Sequence, residues 1–140
     1  MVQTATSEIQ AAIGALLVPS GTLDATLASL GITGVFDDMS VPETQAFDYI
    51  TIGDISEKPH NTLGRRGYDV TFTINVWSRA LGTKTAQSIL ARINQLVDQQ
   101  HLSLATQAHV YTMYDESQFV PQPDGLTLHV PIRYILYSEE

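Results

Sequence analysis

Four histidines are the residues with the clearest capacity for chemistry, because imidazole ligates metals and carries protons near neutral pH. They are His60, His101, His109 and His129, scattered along the chain. None lies four residues from another on a predicted helix, and no His-Glu-x-x-His motif or acidic calcium loop occurs. The chain has no cysteine, which excludes disulfides and thiolate metal sites. We therefore interpret the histidines as surface or hydrogen-bonded polar residues and expect neither a metal nor a cofactor.

Motifs for covalent catalysis or nucleotide binding are missing as well. The sequence has no Gly-x-Ser-x-Gly elbow, no Walker loop and no dinucleotide fingerprint. A Ser-His-Asp triad is assembled in space, so sequence spacing leaves it open. We predict that the protein is not an enzyme, and we keep a small ligand-binding or enzymatic α+β domain as the alternative.

Residues 55–67, ISEKPHNTLGRRG, are predicted to form a polar loop that concentrates basic side chains. Lys58, Arg65 and Arg66 lie within nine residues, in a chain with only seven lysines and arginines, and His60 lies among them. Arginine suits bidentate contacts to carboxylate or phosphate groups. One interpretation is an interaction loop that docks on a partner. The other is a solvated loop whose charges offset an acidic chain.

Charge and composition limit the classes of partner. The net charge is −8, charged residues make up 16% and hydrophobic residues 44%. A free-standing nucleic-acid binder is usually basic, so tight binding of DNA or RNA is disfavoured. A surface poor in charge suits a subunit that is covered on several sides. The first residues, MVQTATSEIQ, do not resemble a secretory signal, and no apolar stretch is long enough to span a membrane, so we expect a soluble protein.

The N-terminal third is predicted to be helical and then irregular. Residues 7–18 place apolar side chains at the 3, 4, 7 spacing of an amphipathic helix. Residues 22–31 could add a short helical segment, and residues 35–47 have no clear pattern. Residues 48–54, DYITIGD, are β-branched and bounded by Asp and Gly, which predicts a short strand.

Residues 68–98 contain the clearest periodicity, a strand followed by a helix. Between Tyr68 and Val76, apolar residues alternate with Asp69, Thr and Asn, which predicts a half-buried strand. From Thr83, an apolar stripe recurs at helical spacing and is expected to pack on that strand. Its members are Ala86, Ile89, Leu90, Ile93, Leu96 and Val97.

The C-terminal third is predicted to be β structure. Residues 109–120 indicate a strand with a bend or bulge near Asp115, residues 121–125 a turn, and residues 126–137 an alternating strand. Pro131 cannot donate to a sheet ladder, which favours an edge position or a bulge for the last strand. Together these elements predict an α+β fold, a mainly antiparallel sheet with two main helices packed on one face. Residues 1–140 are expected to form one domain.

The pattern as a whole resembles a known family. The strand YITIGD, a polar glycine loop and the segment GRRGYDVTFTINVWSRALGTKTAQSILARINQLVD, followed by a β-rich end, are similar to the tail completion, or tail terminator, proteins of long-tailed bacteriophages. The most specific part of this resemblance is a strand ending in Val76-Trp77-Ser78, followed by a turn at Gly82 and then a helix. The motif is structural, not catalytic.

The resemblance implies a function in assembly. Such proteins form a ring of six copies on the head-proximal end of the tail tube, end tube polymerisation, and provide the surface to which the head docks. The implied partners are further copies of the chain, the tail tube protein and the head-tail connector or stopper protein. The implied location is the tail or neck of a virion, assembled in the bacterial cytoplasm. A head-side connector or stopper of the neck is the close alternative.

DNA would cross such a ring without sequence-specific binding, and an acidic wall would suit that passage. Asp54, Glu57 and Asp69 are the candidates for channel-facing residues, because Asp69 lies on the non-core face of the long strand and the other two lie near it in sequence.

Overall fold

The computed structural model describes residues 6–19, 22–37, 48–61, 63–64, 66–79, 83–100 and 108–139. In chain order the described elements are α1 (Thr6–Leu17), α2 (Ala25–Ser29), β1 (Val35–Asp37), β2 (Tyr49–Pro59), β3 (Gly67–Ser78), α3 (Lys84–Val97), β4 (Ala108–Ser117), β5 (Val120–Pro121) and β6 (Leu128–Glu139). The predicted α+β class is confirmed. That residues 1–140 form a single domain stays a prediction.

The described strands form one sheet in the order β1-β2-β3-β6-β4, and β5 also pairs with β6. The pair β1–β2 is parallel, and the other pairs are antiparallel. At the centre, β3 and β6 pair without a register break from Gly67–Glu139 to Ser78–Leu128. Directly paired residues share a face of an antiparallel sheet, so the alternating sequences of both strands place their apolar side chains on the same face.

Helices α1 and α3 cover that apolar face. The helices bury Ile9, Ile13, Leu17, Ala86, Ile89, Ile93 and Val97 against the sheet. From the sheet, Phe72 and Tyr134 stack with ring centroids 5.4 Å apart. Each large apolar side chain buried in this way contributes about 1.5–3 kcal/mol. The predicted helical stripe and the predicted packing of the helices on one face are confirmed.

A partly buried ion pair joins α2 to α3. The Asp24 carboxylate caps α2 by accepting from Leu27 N at 3.2 Å, and it also accepts from Arg92 Nε at 3.0 Å and from Arg92 Nη2 at 2.9 Å. These hydrogen bonds, the one from Arg92 first, lower the pKa of Asp24 below its ordinary value. One carboxylate therefore fixes both the start of α2 and its position on α3.

Two segments are more ordered than the sequence predicts. The strand predicted over residues 48–54 continues to Pro59, so residues 55–59 of the predicted loop 55–67 belong to a strand, and β1 lies in a segment predicted to be irregular. β1 pairs only with Ile50–Ile52, which leaves the far half of β2 as a sheet edge within the described residues. An edge strand tolerates polar side chains and proline, so this half of β2 carries no apolar alternation.

The predicted edge position of the Pro131 strand is wrong, because β6 lies between β3 and β4. The Pro131 carbonyl accepts from Gln118 N at 3.3 Å. In an antiparallel strand the N–H and C=O of one residue point the same way. The missing donor of Pro131 therefore faces the junction between β4 and β5, where the ladder is interrupted. The predicted bend near Asp115 is confirmed, because the β4–β6 register shifts between Tyr114 and Glu116.

Candidate functional site

The β2–β3 hairpin closes with a compact polar arrangement around His60. His60 N donates to Gly67 O at 2.8 Å, and the His60 ring nitrogen Nδ1 lies 2.9 Å from Asp69 Oδ2. The His60 and Tyr137 rings pack with centroids 5.1 Å apart. A Cβ on residue 67 would overlap the Tyr137 hydroxyl and lie 2.7 Å from the His60 carbonyl oxygen. Glycine at position 67 is therefore what allows the chain to pass between these groups.

Residues of the predicted interaction loop and a predicted channel-facing residue lie together in the structure. Lys58 pairs directly with Asp69 across the hairpin, so their side chains lie on the same face of the sheet. His60 contacts the same carboxylate. The predicted interaction loop and one predicted channel-facing residue thus form one exposed surface, and the His60–Asp69 pair is half exposed.

The remaining predicted site residues lie elsewhere. Glu57 pairs with Val70, which places it on the helix-covered side of the sheet, opposite to Asp69. The backbone of Asp54 belongs to a bulge in β2 between Gly53 and Ser56, and its side chain lies outside the described part of the chain. Arg66 is exposed next to the start of β3, and Arg65 lies outside the described residues. No comparison or contact tests their assigned functions, which stay predictions.

A hydrogen-bonded aromatic cluster occupies the middle of the sheet face opposite to the helices. The rings of Trp77 and His129 stack at 3.9 Å with an interplanar angle of 3°. His129 Nε2 lies 2.7 Å from Asn75 Oδ1, and Trp77 Nε1 donates to Thr51 Oγ1 at 3.2 Å. Asn75 and Thr51 are 5% and 3% exposed, although no described helix covers them. The aromatic pair shields these polar groups, which explains His129 as a structural residue.

On the same face, toward the hairpin end of the sheet, lies an apolar surface, the β4–β6 patch, which we define by Tyr111, Met113 and Ile135. Their side chains are 41%, 51% and 37% exposed. Met113 pairs directly with Ile135, and Tyr111 pairs with Tyr137, with which it stacks at 5.9 Å. Three adjacent large apolar side chains on an uncovered sheet face are typical of a surface that another molecule covers.

This patch was not predicted as a surface from the sequence, although a signal was present. Ile135 falls on the polar side of the alternation in β6, and both faces of β4 carry large side chains. Apolar residues on both faces of a strand indicate that both faces are covered by something. The alternation of side chains alone does not say whether the second face is covered by the same chain or by a partner.

The loop between β5 and β6 is held by Asp124 and forms the edge of a shallow depression. Asp124 accepts from Leu126 N at 2.8 Å and from Thr127 N and Oγ1, each at 2.9 Å, and these hydrogen bonds lower the pKa of its carboxyl group. The depression has a volume of about 280 Å³ and is lined by Tyr49, Trp77 and Arg79, among others. The described residues that line it include no histidine, cysteine or serine.

Metal binding and membrane insertion find no support in the described residues. No group of three or more His, Asp or Glu side chains there is placed to hold a metal ion. His101 and the side chain of His109 lie outside the described part. None of the described helices combines the length and apolar character that a membrane-spanning helix requires.

Comparisons with known proteins point to one class. The model of a family described as tail completion protein gp17 matches residues 11–138. A solved chain from the virion of a native gene transfer agent particle superposes with a TM-score of 0.86 at 21% identity, covering 99% of this chain and 100% of that chain. A second solved structure has a TM-score of 0.64 at 18% identity, covering 99% of this chain and 97% of the other. At these identities the two structures establish a shared fold. No curated protein sequence matches significantly.

Proposed function

The chain belongs to the tail completion protein gp17 family, and from this premise we propose that it forms a closed ring of six copies at the head-proximal end of a phage tail tube. Membership in the family makes it a structural tail completion protein, a virion component of the tail and neck region. The ring would end polymerisation of the tube and present the surface to which the head docks. It would do so by binding alone, without a catalytic step or a cofactor, after assembly in the bacterial cytoplasm.

The observation that carries this proposal is the unequal covering of the sheet. One face is closed by α1 and α3, whereas the other exposes the β4–β6 patch and the polar hairpin end. A closed ring needs two different surfaces on each copy, because every contact joins one patch to another kind of patch. A subunit whose sheet is covered by its own helices on one face and exposes side chains on the other offers surfaces for such contacts without changing its fold.

The charge of the chain suits DNA passage through the ring. A net charge of −8 on each copy makes a ring wall that repels phosphates, so DNA would cross without being held. Among the predicted channel-facing residues we favour Asp69, because it lies on the uncovered face of β3, whereas Glu57 lies on the other side. Lys58 lies on the same face as Asp69, so we place this surface at the border between the channel wall and an assembly contact made by Lys58, Arg65 and Arg66.

The experiment that tests the proposal combines two measurements on the purified protein. Native mass spectrometry over a concentration series reports whether six copies close into a ring. Electron microscopy then shows whether the protein caps isolated tail tubes. Portal-connector complexes, offered in a parallel sample, test the alternative position on the head side of the neck.

A closed hexamer that caps tubes is the expected result. Binding to portal-connector complexes without capping of tubes would move the protein to the head side. A protein that stays monomeric at all concentrations and leaves tubes uncapped would overturn the ring. The double variant Arg65→Glu and Arg66→Glu should keep the fold and impair assembly, and normal capping by this variant would remove the hairpin from the mechanism.

A further inference from the structure

A leucine at the tip of the β2–β3 hairpin has no function in the fold of its own subunit. Leu63 is 106% exposed, the highest value among the exposed large hydrophobic residues of the described chain. It lies beyond the last hairpin pair, next to Gly64, whose φ of +89° belongs to the left-handed region that favours glycine. The turn therefore presents an apolar side chain to the outside, just beyond the edge where β2, β3, β6 and β4 end side by side.

The same chain carries a surface of matching chemistry at another place. The β4–β6 patch offers an aromatic ring, a thioether and a branched aliphatic group side by side on an open face. Methionine adapts its shape to a partner, and Tyr111 rests on the almost fully buried Tyr137. The patch lies on β4 and β6, whereas the tip leaves the sheet from β2 and β3. Tyr111 stacks on Tyr137, whose ring packs on His60 at the base of the hairpin, so the patch and the tip are different surfaces at the same end of the sheet.

Charges next to the two surfaces are of opposite sign. At the patch, Asp115 and Glu116 share one guanidinium, Arg133, at 3.6 Å and 3.9 Å, so this rim has a negative balance. At the tip, Lys58 near the end of β2 and Arg66 just before β3 are exposed. The Asp69 carboxylate beside Lys58 contacts the His60 ring, and Glu57 lies on the other face of the sheet. Copies with a net charge of −8 repel one another at distance. A stable contact between copies is favoured where a basic surface meets an acidic one.

We propose that Leu63 of one copy packs on the β4–β6 patch of the next copy, with Lys58 and Arg66 facing the acidic rim. The contact joins two unlike surfaces, so it repeats from copy to copy. The copies form a closed ring when the rotation between neighbours adds up to a full turn. It rests on the ring proposed above and deepens it by naming the two surfaces that meet. The tip acts as the apolar anchor, and the charges select the orientation.

The absence of cysteine from the chain allows a direct test. Two single variants, Leu63→Cys and Met113→Cys, are purified separately, mixed, and oxidised at a concentration where copies associate. A disulfide between the two variants forms only if the tip of one molecule reaches the patch of another. The control mixture pairs Leu63→Cys with Gln87→Cys, an exposed position on α3. Circular dichroism confirms that all three variants fold.

We expect about tenfold more mixed disulfide with Met113→Cys than with the α3 control, because burial of a leucine favours one docking position by about that factor. Equal yields in the two mixtures would overturn the contact. Charge reversal gives a second, independent measurement. Arg66→Glu should weaken self-association by about tenfold, and adding Glu116→Lys to the same chain should restore it. Failure of this rescue would contradict the assigned orientation.

Failure of this contact is distinguishable from failure of the ring. Native mass spectrometry of the unmodified protein reports the hexamer whatever surfaces form it. A hexamer with equal disulfide yields would retain the ring and reject the contact. A high yield of the mixed disulfide between Leu63→Cys and Met113→Cys, from a protein that never forms a closed hexamer, would retain the contact and reject the hexamer.

Discussion

The two faces of the central sheet differ although they are built from the same strands. Along β6, Ile132 is fully buried under the helices, whereas Ile135, three residues later, is 37% exposed on the other face. The helix-covered face is apolar and complete within one chain. The opposite face combines a hydrogen-bonded polar cluster around Trp77 with an apolar patch that none of the described elements covers. The difference indicates that one face serves the stability of the subunit and the other serves its contacts.

The largest expected effect separates the two faces of β6 directly. Ile132→Asp should destabilise the protein by more than about 4 kcal/mol and unfold it, because it buries an unpaired charge. Ile93→Asp on α3 should behave in the same way. Ile135→Asp should cost about 1 kcal/mol and leave the fold intact. Chemical denaturation followed by circular dichroism measures all three, and equal losses at Ile132 and Ile135 would mean that the outer face is also core.

A smaller effect is expected within the polar cluster of the uncovered face. Asn75→Ala removes the buried amide that contacts the His129 ring, so we expect a loss of about 1–3 kcal/mol. Thr73→Ala, on the same face of β3 but partly exposed, should stay within about 0.5 kcal/mol. Equal effects of the two variants in urea titrations would show that the cluster contributes nothing beyond general packing.

Acid stability should depend on the carboxylate that holds α2 on the helix layer. The pKa of Asp24 is lowered in the folded state, chiefly by the hydrogen bond from Arg92. Its stabilisation is therefore present above the ordinary value of 3.8 and is lost as pH falls through the lower folded pKa. Asp24→Asn should cost about 1.5–3 kcal/mol at neutral pH, because it removes the charge that strengthens the hydrogen bonds from Arg92, and the difference from the unmodified protein should vanish in strong acid.

Asp124 provides the matched control for this pH effect, because its pKa is also lowered but its side chain is 43% exposed in a loop. Thermal unfolding between pH 2 and pH 7 should show a smaller change for Asp124→Asn than for Asp24→Asn. The reverse order would contradict the assignment of Asp24 as the link between α2 and α3.

The smallest effect on stability is expected at the tip of the hairpin. Leu63→Ala should change the free energy of unfolding by less than about 0.5 kcal/mol, because the side chain makes no packing contact in its own subunit. The same variant should associate more weakly in sedimentation experiments. A clear loss of stability in the monomer would show that Leu63 belongs to the fold, not to an interface.

Local periodicity explains which parts of the fold were predictable. The strand predicted over 68–78 and the helix from Thr83 agree with β3 and α3, because each has its own apolar stripe. The far half of β2 and the short β1 were missed, because their conformation depends on pairing with distant segments. Pro131 was assigned to an edge for a sound local reason, but an interruption in the neighbouring strands accommodates it.

The candidate site was predictable in part for a similar reason. The basic residues near 58–66 were recognised from composition, and His60 and Asp69 were both selected. Their contact was not predicted, because nothing in the sequence gives the register of β2 on β3. Leu63 and the β4–β6 patch were missed, since the apolar character of a residue does not reveal whether its own chain covers it.

The position of β6 at the centre of the sheet also affects how the chain is made. β6 is the most C-terminal of the described strands, yet it pairs along the whole of β3 and with β4 and β5. During synthesis one edge of β3 therefore stays unpaired until residues 128–139 have been made. Contacts so distant in sequence slow folding, and unpaired strand edges favour aggregation meanwhile. Truncated or stalled chains of this protein should consequently depend on chaperones far more than the completed subunit does.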